Sequence, residues 1–110
     1  MEKLVKGPKD ASLIIKGDEF TRTFFKTNKL SFGVSEVGVG ATSIPDPGHP
    51  GADEVFYLLE GHVVCKLPES DTFYEVEKGQ AMLIPDGVPH QVFNIGEQKA
   101  VILWVCAPNM

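Results

Sequence analysis

The chain alternates short apolar runs with turn residues and has almost no segment with a helical period of 3.6 residues. Runs rich in β-branched and aromatic residues recur at roughly 8–12 residue intervals, which is the spacing expected of an all-β sandwich or barrel. Eleven glycines and eight prolines separate these runs. We therefore predict ten strands, at residues 12–17, 20–25, 30–37, 41–44, 54–61, 62–67, 72–77, 80–85, 90–95 and 100–105.

Two connections stand out between the predicted strands. Glu60-Gly61 is so short that it predicts a tight hairpin, with Gly61 free to adopt a positive φ. Residues 45–53, with the sequence PDPGHPGAD, form the one long irregular stretch, and three prolines stiffen it. That stretch carries His49.

Some predicted strands are apolar on both faces. The runs VFYLL (55–59) and VILWV (101–105) do not alternate as a strand with one wet face would. Either an N-terminal strand or another subunit must then cover the outer face. Because two-fold dimers are the commonest oligomers, we expect a homodimer.

Length and charge exclude several classes of protein. A chain of 110 residues fits a single domain, 1–110, in which residues 1–10 form a short polar arm. A formal net charge of −5 and a single arginine argue against binding to nucleic acid or to an anionic membrane surface. The N-terminus lacks the apolar core of a signal peptide, and no run is long enough to span a bilayer.

The two cysteines also bear on the compartment. Cys65 and Cys106 lie in apolar runs and are interpreted as buried free thiols, with a Cys65–Cys106 disulfide as the alternative. Together with the absence of a signal peptide, this favours a cytoplasmic protein.

Two stretches carry the candidate chemistry. In the first, His49 is followed by four residues and Glu54, then by six residues and Gly61. The second, GQAMLIPDGVPHQVFN (79–94), has the spacing G-x5-P-x-G-x2-H-x3-N, at Gly79, Pro85, Gly87, His90 and Asn94. The chain resembles a small single-domain cupin: the second cupin motif is complete and the first is nearly so. The resemblance implies an all-β, cupin-type double-stranded β-helix, or jelly-roll barrel.

The first motif departs from the family pattern at one ligand position. Pro47 stands where the family has its first histidine, so the ligand set implied by the resemblance is reduced to His49, Glu54 and His90. Asp46 is adjacent and could substitute as a fourth ligand. The competing interpretation is a degenerate cupin that has lost its metal together with that histidine.

Two imidazoles and one carboxylate form a set that accepts one divalent ion, Fe, Mn, Ni or Zn, and leaves positions open for water and substrate. The two-residue period places Glu54, Phe56 and Leu58 on one face of a strand, and His90 and Val92 on one face of another. The candidate pocket residues are Arg22, Phe56, Leu58, Met82, Val92 and Trp104, with Arg22 able to bind a carboxylate or phosphate if its face is turned inward.

We therefore expect a metal-dependent enzyme acting on a small oxygen-bearing metabolite. The resemblance leaves dioxygenase, isomerase, decarboxylase and lyase chemistry open, and no residue outside the ligands is an obvious general base. The alternative is a module that binds or senses a small molecule without catalysis, with or without metal.

Overall fold

The computed structural model describes residues 3–108 and is built almost entirely of strands. The one helix in this range is a single 3-10 turn, Pro8–Asp10, in the predicted polar arm. No helix in the described range is long and apolar enough to cross a membrane. The strands are β1 (Ser12–Lys16), β2 (Glu19–Lys26), β3 (Ser31–Val37), β4 (Asp53–Glu60), β5 (His62–Leu67), β6 (Thr72–Glu77), β7 (Ala81–Ile84), β8 (Gln91–Asn94) and β9 (Ala100–Ala107).

The strands form two antiparallel sheets. The larger has the order β1-β2-β3-β9-β4-β7 and the smaller the order β6-β5-β8. Their inner faces enclose one apolar core, because inward and outward side chains alternate along β3, β4 and β9. The predicted all-β jelly-roll class is confirmed. Core residues contributed by both sheets include Val37, Phe56, Leu58, Val63, Cys65, Val76, Ile84, Ile102 and Trp104.

The predicted strand at 41–44 was wrong as a continuous element. This segment runs antiparallel to β8 but makes only isolated bridges, Thr42 with Phe93 and Asp46 with His90. Two features interrupt the ladder. The Ser43 hydroxyl accepts a hydrogen bond from the Val92 amide, and Pro45 has no N–H to donate.

The predicted hairpin at Glu60-Gly61 was also wrong, although Gly61 does adopt a positive φ of 99°. Strand β4 pairs with β7 and β9, whereas β5 pairs with β6 and β8. The chain therefore crosses from one sheet to the other at Gly61. A side chain there would come within 2.9 Å of Ala100 Cα, so only glycine fits this corner.

Both cysteines are buried free thiols, as predicted, and no disulfide joins them. Burial raises the pKa of Cys65 to about 12 and the pKa of Cys106 to about 11. The nearby Glu54 carboxylate adds to both shifts. Because the thiolate is the reactive form, neither residue is suited to nucleophilic chemistry.

The outer face of the larger sheet carries exposed apolar side chains on β4 and β7, and none of residues 3–108 covers them. Val55 and Leu83, which are cross-strand partners, are 44% and 55% exposed, and Tyr57 and Leu59 beside them are also exposed. Contiguous apolar patches of this kind mark interaction surfaces. The homodimer stays a prediction, and this face is where we expect the second copy to pack.

We expect Leu83→Glu to convert the dimer to a monomer, because a carboxylate buried at an apolar interface would lack a partner. Size-exclusion chromatography with light scattering measures the mass directly. Phe73→Glu is the matched control, since Phe73 is equally exposed at 58% but lies on the smaller sheet. A monomeric wild type would contradict the prediction.

Candidate metal centre

Three separate segments bring the candidate ligands to one end of the sandwich. Asp46 and His49 lie in the proline-rich loop, Glu54 lies near the start of β4, and His90 immediately precedes β8. Glu54 faces inward because the next inward residue of β4, Phe56, belongs to the core. The loop reaches the site because Gly48 adopts a φ of 90° and redirects the chain toward His49.

Each of the two imidazole nitrogens lies near both of the two carboxylate oxygens, so nitrogen and oxygen atoms alternate around the site. Glu54 Oε1 lies 3.4 Å from His49 Nε2 and 3.7 Å from His90 Nε2. Asp46 Oδ2 lies 3.3 Å and 3.7 Å from the same two nitrogens. Ligands about 2.1 Å from an ion at tetrahedral angles are about 3.4 Å apart. Each of these four N–O distances therefore suits two ligands that share an ion, and Asp46, Glu54 and His90 each offer an atom within 4.8 Å of the other two.

Both imidazoles direct a free nitrogen to this centre. His90 is buried, and its Nδ1 lies 3.1 Å from the Val88 carbonyl oxygen, which can only accept. In the neutral ring Nδ1 therefore carries the proton, and Nε2 offers its lone pair. His49 Nε2 is buried and makes no hydrogen bond. A buried nitrogen without a partner is unfavourable, and a cation at the centre would supply one.

A second combination of side chains includes sulfur. His49, Glu54 and Cys106 also have atoms within 4.8 Å of one another. Cys106 pairs across the sheet with Glu54, and its raised pKa keeps it a neutral thiol among carboxylates. Cys106 does not line the cavity beside the site, so we take the nitrogen and oxygen atoms as the candidate ligands.

The charged form of the Glu54 carboxyl group is unfavourable when no cation is present. Burial raises its pKa to about 7, and the negative charges of Asp46 and Glu19 add to the shift, whereas His90 opposes it. An ordinary carboxyl has a pKa near 4.5. The charged form is thus destabilised in the metal-free protein, and a divalent cation would relieve this cost.

We expect Glu54→Gln to stabilise the metal-free protein at pH 8. The folded pKa exceeds the unfolded value, so the wild type loses stability as pH rises from about 4.5 to about 7, and the loss persists above that. The free energy of unfolding of Glu54→Gln should exceed that of the wild type by on the order of 2–3 kcal/mol at pH 8, and the difference should shrink toward pH 5. Urea unfolding with a chelator present measures it, and Glu60→Gln, on the exposed part of β4, is the control. A variant less stable than the wild type at pH 8 would contradict the prediction.

A cavity of about 330 Å³ adjoins the four side chains. Phe56, Val92 and Trp104 line it, where the sequence predicted a pocket wall. Polar side chains of β1, β2 and β3 also line it and form a polar wall: Lys16, Glu19, Thr21, Thr23 and Ser35. The cavity thus combines apolar surface with hydroxyl groups, which suits a small organic molecule bearing oxygen atoms.

Three predicted pocket residues lie elsewhere. Arg22 faces outward and binds Glu36 through an Nη1–Oε2 contact of 3.0 Å, because Glu19, Thr21 and Thr23 occupy the inward face of β2. Leu58 is fully buried in the core, farther along β4 than the cavity. Met82 packs against that core from the edge strand β7.

Two other polar residues, Asn94 of the second motif and the surface residue His62, have structural partners. The Asn94 amide donates to the carbonyl oxygens of Val37, Gly38 and Gln98, so it ties the end of β3 to the loop before β9. His62 lies at the surface, where its Nε2 is 2.7 Å from Glu75 Oε1. Neither residue faces the cavity.

Glu19 is the main cavity residue that the sequence analysis missed. Burial raises its pKa, although a hydrogen bond from the Ile44 amide opposes the shift. The alternation of side chains between the two faces of β2 could have indicated Glu19, because Glu19, Thr21 and Thr23 share one face. The aromatic face of Phe20 and Phe24 looked equally suited to point inward, so the sequence could not choose between them.

Hydroxyl groups on the polar wall form a short chain. The Trp104 indole N–H donates to Ser35 Oγ at 3.0 Å, and Ser35 Oγ lies 3.0 Å from Thr21 Oγ1. One hydroxyl proton is used between Ser35 and Thr21. The pair therefore retains one O–H that can be donated to a ligand in the cavity.

Comparison with known proteins agrees with this architecture. The family described as the cupin domain matches residues 33–106, and the chain belongs to that family. An uncharacterized protein of Methanocaldococcus jannaschii is 32% identical over 84 residues, covering 76% of this chain and 65% of that protein. The auxin-binding protein ABP20 of Prunus persica is 31% identical over 87 residues, covering 74% and 40%. The chain thus spans less than two thirds of these relatives.

A solved structure gives the same fold. The polyketide cyclase RemF of Streptomyces resistomycificus superposes with a TM-score of 0.76 at 23% identity, covering 98% of this chain and 80% of that one. At this identity the similarity concerns the fold alone. The cupin resemblance read from the two motifs is confirmed.

Proposed function

We propose that the protein is a metal-dependent cupin enzyme that acts on a small oxygen-bearing metabolite bound in the 330 Å³ cavity. The observation that carries this proposal is the buried His49 Nε2, which has no hydrogen-bond partner and shares two carboxylate neighbours with His90. His49, Glu54 and His90 are the ligands predicted from the sequence. A divalent ion bound there would act as a Lewis acid on a carbonyl or hydroxyl oxygen of the substrate.

The chain's own residues supply the remaining requirements. Phe56, Val92 and Trp104 give the cavity an apolar surface that limits the access of water to the ligand, and the Thr21–Ser35 pair can donate one O–H to one of its oxygen atoms. Glu19 lines the cavity, and its raised pKa favours the protonated form nearer to neutral pH than is usual for a glutamate. Glu19 is therefore suited to hold a proton and return it to the substrate.

The second candidate is a module that binds a small molecule without turning it over. The auxin-binding name of one relative and the loss of the first family histidine at Pro47 favour it. The two candidates differ in what Glu19 must do. A binder needs its shape and polarity, whereas an enzyme needs its exchangeable proton.

Metal content and turnover test the proposal together. The untagged protein is analysed for metal by plasma mass spectrometry, loaded with Fe²⁺, Mn²⁺, Ni²⁺ or Zn²⁺, and incubated with a panel of keto acids, hydroxy acids, sugars and phenols. We expect near-stoichiometric metal and conversion of at least one compound. Glu19→Gln should retain metal and binding of that compound but lose turnover at least about tenfold.

Two results would contradict the enzyme proposal. Metal-loaded wild type that binds a compound by calorimetry but never converts it supports the binding module. A folded wild type that takes up no metal supports the degenerate, metal-free interpretation. Thr23→Ser is the control variant for Glu19→Gln, since it lines the same wall and keeps its hydroxyl.

A further inference from the structure

Asp46 occupies a fixed position beside the predicted ligands. Its backbone N–H donates to the His90 carbonyl oxygen at 2.8 Å, and the His90 N–H donates to the Asp46 carbonyl oxygen at 2.9 Å. This pair of hydrogen bonds fixes the separation of the two residues. Pro47 follows, and a residue before proline favours an extended backbone, which this pairing needs.

The carboxylate of Asp46 is oriented as well as placed. Its Oδ1 accepts a hydrogen bond of 2.9 Å from the Gly48 amide, which is an Asx-type turn. Oδ2 is left to face the site, 3.3 Å from His49 Nε2 and 3.7 Å from His90 Nε2. A side chain at Gly48 would come within 2.5 Å of the Gly87 carbonyl oxygen, so this turn is sterically restricted to glycine.

Neutral His90 cannot donate a hydrogen bond to the two carboxylates beside it. His90 Nδ1 faces the Val88 carbonyl oxygen and carries the proton in the neutral ring, so Nε2 presents a lone pair to the Asp46 and Glu54 oxygens. His49 Nε2 also faces both oxygens without a hydrogen bond. A cation between these atoms would remove the repulsion between the carboxylate oxygens and the imidazole lone pairs.

We propose that Asp46 Oδ2 is the fourth protein ligand of the metal and takes the place of the histidine that Pro47 replaces. This inference rests on the proposed function, because it concerns the same ion. The site then has two imidazoles and two carboxylates, so a divalent ion bound there is neutralised by its ligands. Compared with a set that has a third imidazole in place of Asp46, this set shifts the preference toward Mn²⁺ and Fe²⁺, which bind oxygen ligands well.

Asp46→Asn is the sharpest test, because the amide oxygen of asparagine can still accept the Gly48 hydrogen bond and preserve the turn. The substitution removes the negative charge and, with it, the ability of this side chain to bind the metal strongly. Asp53→Asn is the matched control, since Asp53 is exposed and adjacent to Glu54. Metal-free wild type and both variants are titrated with Mn²⁺, followed by electron paramagnetic resonance, and separately with Zn²⁺ by competition with a chromophoric chelator.

We expect Asp46→Asn to weaken Mn²⁺ binding by about 100-fold or more and Zn²⁺ binding by clearly less, with Asp53→Asn within about threefold of the wild type. An Asp46→Asn protein that binds Mn²⁺ as the wild type does would overturn the fourth ligand while leaving the three-ligand site intact.

Two further results separate the inference from the proposed function. If folded wild type binds neither metal, the proposed function and the fourth ligand both fail. If Asp46→Asn does not fold, as judged by circular dichroism, Asp46→Glu replaces it. A ligand role then requires Asp46→Glu to change the visible spectrum of bound Co²⁺, and an unchanged spectrum overturns the inference.

Discussion

We expect His90→Ala to abolish stoichiometric metal binding by the purified protein. The substitution removes the Nε2 atom that lies 3.7 Å from both carboxylate oxygens, but it keeps the backbone hydrogen bonds between residues 46 and 90. We expect affinity to fall on the order of 10³-fold or more, which exceeds the 10–100-fold typical of groups that only support a ligand. Plasma mass spectrometry of untagged protein and Mn²⁺ titration measure the loss.

His62→Ala is the control for this experiment. His62 is the histidine that lies outside the site, at the surface with Glu75, so its removal should leave metal content unchanged. Retention of stoichiometric metal by His90→Ala would contradict the assignment of His90. Loss of metal by His62→Ala alone would indicate that the bound ion is held at the His62, Glu75 and Glu77 cluster.

We expect Gly33→Ala to lower the free energy of unfolding by about 3 kcal/mol or more. This loss lies in the upper part of the range for overpacked cores. Gly33 pairs across the sheet with Trp104, and the indole lies where a side chain at residue 33 would be. An added Cβ would lie 2.3 Å from Trp104 Cζ2 and 2.5 Å from the Arg22 carbonyl oxygen. The carbonyl belongs to the β2 backbone and cannot move without disturbing the pairing of β2 with β3.

The single tryptophan makes this prediction simple to measure. Urea unfolding followed by tryptophan fluorescence reports on the residue that is displaced. Gly38→Ala is the control, because the nearest atom to its added Cβ is 4.0 Å away, and we expect a change within about 1 kcal/mol. A Gly33→Ala protein with wild-type stability and fluorescence would contradict the packing argument.

The strands that carry the ligands were predictable because their signals are local. The two-residue period of β4 placed Glu54 and Phe56 on one face, and that face is the inner one. The spacing of Gly79, Pro85, Gly87 and His90 fixed the turn that presents the histidine. These features depend on backbone conformations that neighbouring residues determine.

The features that were missed depend on contacts between distant segments. Asp46 is oriented by hydrogen bonds to His90, far along the chain, so the sequence could offer it only as a substitute ligand. The inward face of β2 is decided by packing against Ser35 and Trp104, and this face carries Glu19 and excludes Arg22. The crossing at Gly61 has the same origin, because a short connection does not reveal which sheet its two strands join.

The proline-rich loop has a consequence for the lifetime of the protein. Besides the pairing of Asp46 with His90 and the Asp46–Gly48 turn, the Ala52 N–H donates to the His49 carbonyl oxygen and the Gly51 N–H donates to Asp86 Oδ1. An ion held between Asp46 and His49 on the loop and Glu54 and His90 on the strands would act as a removable cross-link across it. Proteases cleave segments that open locally. Susceptibility to limited digestion within residues 45–53 would then report how much of the protein carries metal, and metal starvation would shorten its survival.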